Sequence, residues 1–197
     1  MWNEQIIMML LEGIKDTLYM TLTSTLIGYV IGLPMGILLT VTDKDGIHPN
    51  AAVYKVLDVI ANLIRSVPFL ILLIVLIPFT RFLIGRSYGP TATIVPLVIA
   101  AAPYIARMVE SSLKEVDAGV IEAARSMGAS NFTIVTKVML VEARTSLIVG
   151  ATISLGTILG YSAMAGTVGG GGLGDIAIRY GYTRWQTDIM IVTVILL

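Results

Sequence analysis

The side chains able to do chemistry gather in one interval of the sequence. Between Arg107 and Lys137 the chain reads Arg107-Met-Val-Glu110, then Lys114-Glu115-Val-Asp117, then Glu122-Ala-Ala-Arg125-Ser-Met-Gly128. Carboxylates and cations at these spacings can form charge-assisted contacts with one another or with a partner protein. The chain has no cysteine, and its single histidine, His48, lies outside the interval. Thiolate ligands, thiol nucleophiles and histidine clusters are thereby excluded. Gly169 to Gly174 satisfies G-x-G-x-x-G, yet it follows no strand and has no acidic partner at the distance a dinucleotide site requires. No glycine-rich segment ends in Lys-Ser or Lys-Thr, so there is no phosphate loop. The sequence carries no catalytic set, and no cofactor or metal site is expected in it.

Within the polar interval the local signals define a helix. Asp117 is suited to cap it, because the first N–H groups of a helix need an acceptor. Ala118 to Met127 then gives about 15 Å of helix, and Gly128 supplies the left-handed residue at its end. Ser130 is placed to start the next helix, which leads through Lys137 into another apolar stretch. Two readings fit such an element. One is a rigid docking helix; the other is an amphipathic helix lying on lipid through Val120, Ile121, Ala124 and Met127.

The surrounding sequence says where this helix is held. Charged residues make up 13% of the chain, 13 basic against 13 acidic, and mean hydropathy is +0.87. So few charges cannot clothe a water-facing surface of ordinary composition. Residues 17–42, 66–80, 87–106, 145–174 and 189–197 contain no Asp, Glu, Lys or Arg at all. An all-α integral membrane protein with five transmembrane helices is therefore expected. The crossings are placed at about 17–42, 59–80, 90–106, 138–164 and from 187 onward. Arg65 lies close enough to an end of the second to snorkel to the headgroups. The last crossing is only half present, and the natural chain is expected to continue for another helical turn or two and a basic tail. Residues 1–16 form a short segment ahead of the first crossing. It lacks the basic start of a cleavable signal, so insertion would rely on the first crossing itself. The neutral charge balance gives no footprint for nucleic acid.

Orientation and packing are read from the same pattern. With the N-terminus outside, eight basic residues fall on the inner side and five on the outer, the asymmetry of the positive-inside rule. The interval 109–137 is then cytoplasmic. Gly28, Gly32 and Gly36 repeat at four-residue spacing, which lets another helix approach closely, within the subunit or from a second one. Pro34 lies inside that stretch as a candidate kink, and Gly156 and Gly160 repeat the spacing in the fourth crossing. Gly169 to Gly174 reads as a flexible or re-entrant outer turn. Asp175, Arg179, Arg184 and Asp188 come after it as a solvated surface or a contact for an outer partner.

Glu122-Ala123-Ala124, with Gly128 six residues after the glutamate, resembles the EAA loop of the permeases of ABC importers. Val138 and Leu140 match the continuation of that pattern, while Val141 stands where proline is usual, at the bend into the next crossing. Arg65-Ser-Val-Pro68-Phe69, Ala101-Ala-Pro103-Tyr-Ile-Ala-Arg107-Met-Val-Glu110, Gly160-Tyr-Ser-Ala-Met164 and Gly170-Gly-Gly-Leu-Gly174 are together similar to the methionine branch of those permeases. The resemblance spans nearly the whole chain. It implies a type I ABC importer transmembrane domain over 17–197, after a short extracytoplasmic segment 1–16. It further implies a homodimer in the bacterial cytoplasmic membrane, two cytosolic ABC ATPase subunits that bind the ATP and magnesium, and an extracytoplasmic substrate-binding protein. Glu122, Ala123, Ala124, Arg125, Met127 and Gly128 would form the loop that couples to the ATPases. Ala123 and Ala124 would suit a tightly docked face, and Glu122 would either stabilise its own helix or pair with a basic ATPase residue. Tyr161 and Met164, near the outer part of the fourth crossing, are candidate pathway or gate residues, since thioether and aromatic groups suit a methionine side chain.

Two other classes fit less well. An ion-coupled secondary transporter needs ionisable groups in mid-membrane, and none falls near the centre of an expected crossing. A membrane-embedded enzyme needs a buried acid–base or metal set, which is missing. Within the favoured class the alternative is a permease for another amino acid or small nutrient.

Overall fold

The computed structural model of the chain describes residues 4–197, so Met1, Trp2 and Asn3 of the expected N-terminal segment lie outside the described residues. Everything described is helix or connecting turn, with no strand among the described residues. In chain order the helices are α1 (Glu4–Thr42), α2 (Ala51–Ser66), α3 (Phe69–Val75), α4 (Ile77–Ile84), α5 (Pro90–Lys114), α6 (Ala118–Ser126), α7 (Asn131–Thr133), α8 (Leu140–Glu142), α9 (Arg144–Ala165), α10 (Gly172–Ile176) and α11 (Thr187–Leu196). Wider π-helical turns occupy Ile134–Met139 and Ala177–Tyr182.

Three of these helices, α1, α5 and α9 with its following turn, are long and apolar enough to cross a membrane. They depart from the expected boundaries in informative ways. Helix α1 starts at Glu4 rather than near Thr17 and continues unbroken through Pro34. Helix α5 runs on to Lys114, so Arg107, Glu110 and Lys114 belong to a helix and not to a loop. The stretch 59–80 is not one rod: α2 ends at Ser66 and α3 begins at Phe69. Proline has no N–H to donate and pushes the residue before it out of the helical region, so Val67-Pro68 divides the segment. The fourth long helix begins at Arg144 rather than near Val138, after a turn at Ala143. That turn forms without the proline that usually marks the place.

Burial along α1 is inverted relative to a water-soluble helix. Its buried positions include Gly13, Thr17, Thr21, Ser24, Gly28, Gly32, Gly36 and Thr40, spaced by three and four and therefore on one face. Its exposed positions include Leu18, Leu22, Leu26, Val30 and Ile31. Small and hydroxyl side chains allow close backbone approach, while the large aliphatic ones face a medium as apolar as themselves.

The chain divides into two compact units. One combines the chain up to Ile27 with Val67–Ala100 and Leu155–Leu197. Its core includes Leu10, Leu173, Ile176 and Ile189. The glycine-rich stretch lies in it as a packed turn and not as a loose one. Leu173 N donates to Thr17 Oγ1 at 2.9 Å, Gly89 N donates to Gly169 O at 2.9 Å, and Gly170, Gly172 and Gly174 are buried. The other unit combines Gly28–Ser66 with Ala101–Ser154. Its centre holds Leu39, Ile105, Val109, Leu113 and Ile134, and it carries the polar interval.

Candidate functional site

Helix α6 is defined by its caps. The Asp117 carboxylate accepts from Gly119 N at 2.7 Å. At the other end Met127 N donates to Ala123 O and Gly128 N donates to Arg125 O. Gly128 has φ +83, a conformation that a residue with a Cβ rarely adopts. Ser130 then caps the next turn, its hydroxyl accepting from Thr133 N at 3.2 Å.

The faces of α6 differ from those read in the sequence. Ala124 is buried and Ile121 partly so, whereas Val120 is exposed and Met127 is 83% exposed. The apolar set therefore splits. Ala124 packs into its own chain, leaving Glu122, Ala123, Ser126 and Met127 on the open side. Arg125 also turns inward in part, its Nη2 donating to Ile47 O at 2.8 Å. That bond ties α6 to the connection between α1 and α2.

Beneath this helix lies a chain of ion pairs. The Glu110 carboxylate, 5% exposed, accepts from Arg107 Nη1 at 2.6 Å and from Lys114 Nζ at 2.8 Å. Arg107 reaches across to the Asp58 carboxylate and to Asn62 Oδ1 at 3.0 Å, both on α2. Lys114 reaches Asp43 Oδ2 at 2.6 Å, just past the end of α1, and its ammonium lies 5.9 Å from the centroid of the Tyr54 ring. The hydrogen bond from Lys114 holds the Asp43 carboxyl below its ordinary value of 3.8, against the opposing effect of partial burial. Three helices, α1, α2 and α5, thus share one charge network, and α6 begins four residues after its last cation.

A cavity of about 480 Å³ opens beside the network, lined by Asp43, Asp45, Ile47, Lys114, Glu122, Arg125 and Met139 among others. Its polar lining does not form a metal site: among the described residues no cluster of three or more ligating side chains exists.

The remaining sequence-derived candidates fall in separate places. Tyr161 lies flat against Phe69 with ring centroids 4.4 Å apart and planes 6° apart, while Met164, one turn on, is 47% exposed. In the sequence Phe69 is only part of a motif; the stack joins that motif to the Tyr161 one. Gly28, Gly32 and Gly36 lie against α5. A Cβ on Gly32 would stand 2.6 Å from Ala102 O, and one on Gly36 would stand 2.5 Å from Ala106 O. Gly156 and Gly160 meet nothing within 4 Å in this chain. Sequence reasoning misses the charge network. Arg107, Glu110 and Lys114 at i, i+3 and i+7 are a legible helical face, hidden when the third crossing is ended at Ala106. Asp58 bonds across to α5.

Residues 9–197 match the family described as binding-protein-dependent transport system inner membrane component. The chain is 48% identical over 189 residues to the probable D-methionine transport system permease protein MetI of Vibrio cholerae serotype O1, covering 96% of this chain and 84% of that protein. To the D-methionine transport system permease protein MetI of Escherichia coli K12 it is 51% identical over 164 residues, 83% of this chain and 76% of that one. A chain from a structure of inward-facing conformations of the MetNI methionine ABC transporter superposes with a TM-score of 0.96 at 49% identity, covering 99% of this chain and 90% of that chain.

Proposed function

The chain belongs to the family of binding-protein-dependent transport system inner membrane components, and from that premise we propose that it is the permease subunit of an ATP-driven importer of methionine. The observation that carries this reading is the close superposition, at nearly half-identical sequence, on a chain of a methionine ABC transporter. The permease works as a homodimer in the cell membrane with two cytosolic ATPase subunits and an extracytoplasmic binding protein. ATP and its magnesium belong to the ATPases; this chain does no bond chemistry. Its task is to hold two global states whose balance ATP and the loaded binding protein shift.

Five crossings with the N-terminus outside are supported by the loop charges. On this reading residues 1–16 begin on the outer side, the second crossing falls within about 59–80, and α11 begins the fifth. The interval 109–137 is cytoplasmic and α6 is its coupling helix. The open side of α6, with Glu122, Ala123 and Met127, faces the ATPase. Ala124 and Arg125 hold α6 to the permease. Closure of the ATPases displaces α6, and the network at Glu110 moves the ends of α1, α2 and α5 with it. Tyr161 and Met164, the first stacked on Phe69, line the path.

The test is uptake of labelled methionine by proteoliposomes containing the whole complex, with and without ATP. Uptake that needs ATP and the binding protein is expected. Full-rate exchange without ATP would sink the importer reading, and ATP-driven uptake of a different amino acid in preference to methionine would move the substrate assignment within the class.

A further inference from the structure

Ahead of α11 the chain displays an aromatic and cationic cluster. Trp185 is 85% exposed and Tyr182 is 70% exposed. The Arg184 guanidinium lies 4.6 Å from the centroid of the Tyr180 ring. The neighbouring Arg179 is paired with Asp175 at 3.0 Å, whereas Arg184 pairs with no carboxylate among the described residues. Trp185 has φ +56, the one positive value at a non-glycine among the described residues. Backbone bonds on either side hold it there: Gln186 N donates to Tyr180 O at 3.3 Å and Thr187 N to Trp185 O at 3.2 Å.

The helix beyond the cluster identifies the partner. Helix α11 exposes Ile191, Val194, Ile195 and Leu196, so the exposed surface passes along the chain from cation and aromatic rings to bare aliphatic side chains. Helix α11, ten residues from Thr187 to Leu196, spans about 15 Å, roughly half of a hydrocarbon core. A surface made for water or for a soluble protein has no need of that order. A bilayer has the same order, since tryptophan and tyrosine settle at headgroup level and arginine reaches the phosphates.

We propose that Trp185, Tyr182 and Arg184 form a phospholipid-interface anchor, with the rings at the glycerol level and the guanidinium on a lipid phosphodiester, and that this anchor sets the depth at which α11 enters the membrane. The proposal rests on the reading of α11 as the start of a crossing, so its test carries a separate probe of that helix. The complex is reconstituted with phospholipids brominated either near the glycerol or near the acyl terminus, and Trp185 emission is isolated as the difference from Trp185→Phe. A nitroxide on Val194→Cys, the sole thiol of the permease, reports the environment of α11.

Strong quenching of Trp185 by the shallow bromines, and little by deep bromines or aqueous iodide, is the expected result. Arg184→Gln should weaken the shallow quench. Quenching by iodide alone, with the Val194 label still shielded from water, would overturn the anchor and leave the crossing intact. Protection of Trp185 from iodide by added binding protein would assign the cluster to protein docking instead. A Val194 label open to water would overturn the crossing and the anchor with it.

Discussion

Arg107 and Glu110, one turn apart on α5, form an ion pair at 2.6 Å in which the carboxylate is almost wholly buried. A buried carboxylate persists in the charged state only when cations and hydrogen bonds replace its lost water. Glu110 has two cations, Arg107 and Lys114, and each passes the connection on to another helix. Removing one member of a buried pair costs about 3–5 kcal/mol, mostly because its partners stay behind unpaired. Glu110→Gln should therefore lower the thermal midpoint of the detergent-solubilised complex clearly more than Glu115→Gln, which changes an exposed carboxylate three residues before α6. Equal shifts would mean that the network does not hold the helices together.

Asp43 gives the network a pH signature. Its folded pKa is depressed by Lys114, so its contribution to stability is fully present above the ordinary value of 3.8 and is lost as pH falls through the lower folded value. Thermal midpoints of the native complex should be insensitive to this group from neutral pH down to about 4 and fall below that. Asp43→Asn should start lower at neutral pH and lose less on acidification. Parallel acid curves for the two proteins would remove Asp43 from the network.

The glycines on α1 make a steric prediction. Gly36→Ala would place a methyl 2.5 Å from Ala106 O and 2.6 Å from the Cβ of Val109, neither of which is a flexible chain end. Overpacking of this kind costs about 1–3 kcal/mol. Gly156→Ala meets nothing within 4 Å in this chain and should leave the stability of the subunit the same or slightly higher, since alanine favours a helix interior over glycine. Differential scanning of both variants separates the outcomes.

The Phe69–Tyr161 stack bears on the pathway. Tyr161→Phe keeps the ring pair, which is worth about 0.5–1.5 kcal/mol beyond its buried area, while Tyr161→Ala abolishes it. Methionine flux should survive the first and fall with the second. Met164→Ala and Met164→Trp should change flux in opposite directions if this half-exposed thioether lies at the gate. Unchanged flux in both would remove Met164 from the path.

The features legible in the sequence are those set by local chemistry. Asp117, Gly128 and Ser130 stand where they do because unpaired N–H groups and a left-handed residue end helices in the same way everywhere. The break at Pro68 is also written locally, but hydropathy has no sense of direction and reads a continuous second crossing over it. Contacts distant along the chain are not legible. Nothing near Arg107 points to Asp58, 49 residues earlier, and nothing near Tyr161 points to Phe69. Ala124 shows the intermediate case. A small residue marks a close contact without saying with what, and its partner is its own subunit.

The role proposed for α6, carrying ATP hydrolysis to the permease, is tested most directly at Gly128. At φ +83 this position cannot hold proline, whose ring fixes φ near −65°, and the bond from Gly128 N to Arg125 O would be lost with it. The measurement is methionine moved per ATP hydrolysed by proteoliposomes carrying Gly128→Pro, after checking that the ATPase still co-purifies. Continued hydrolysis with methionine uptake largely abolished is the predicted result. An unchanged ratio of methionine to ATP would contradict the assignment of α6.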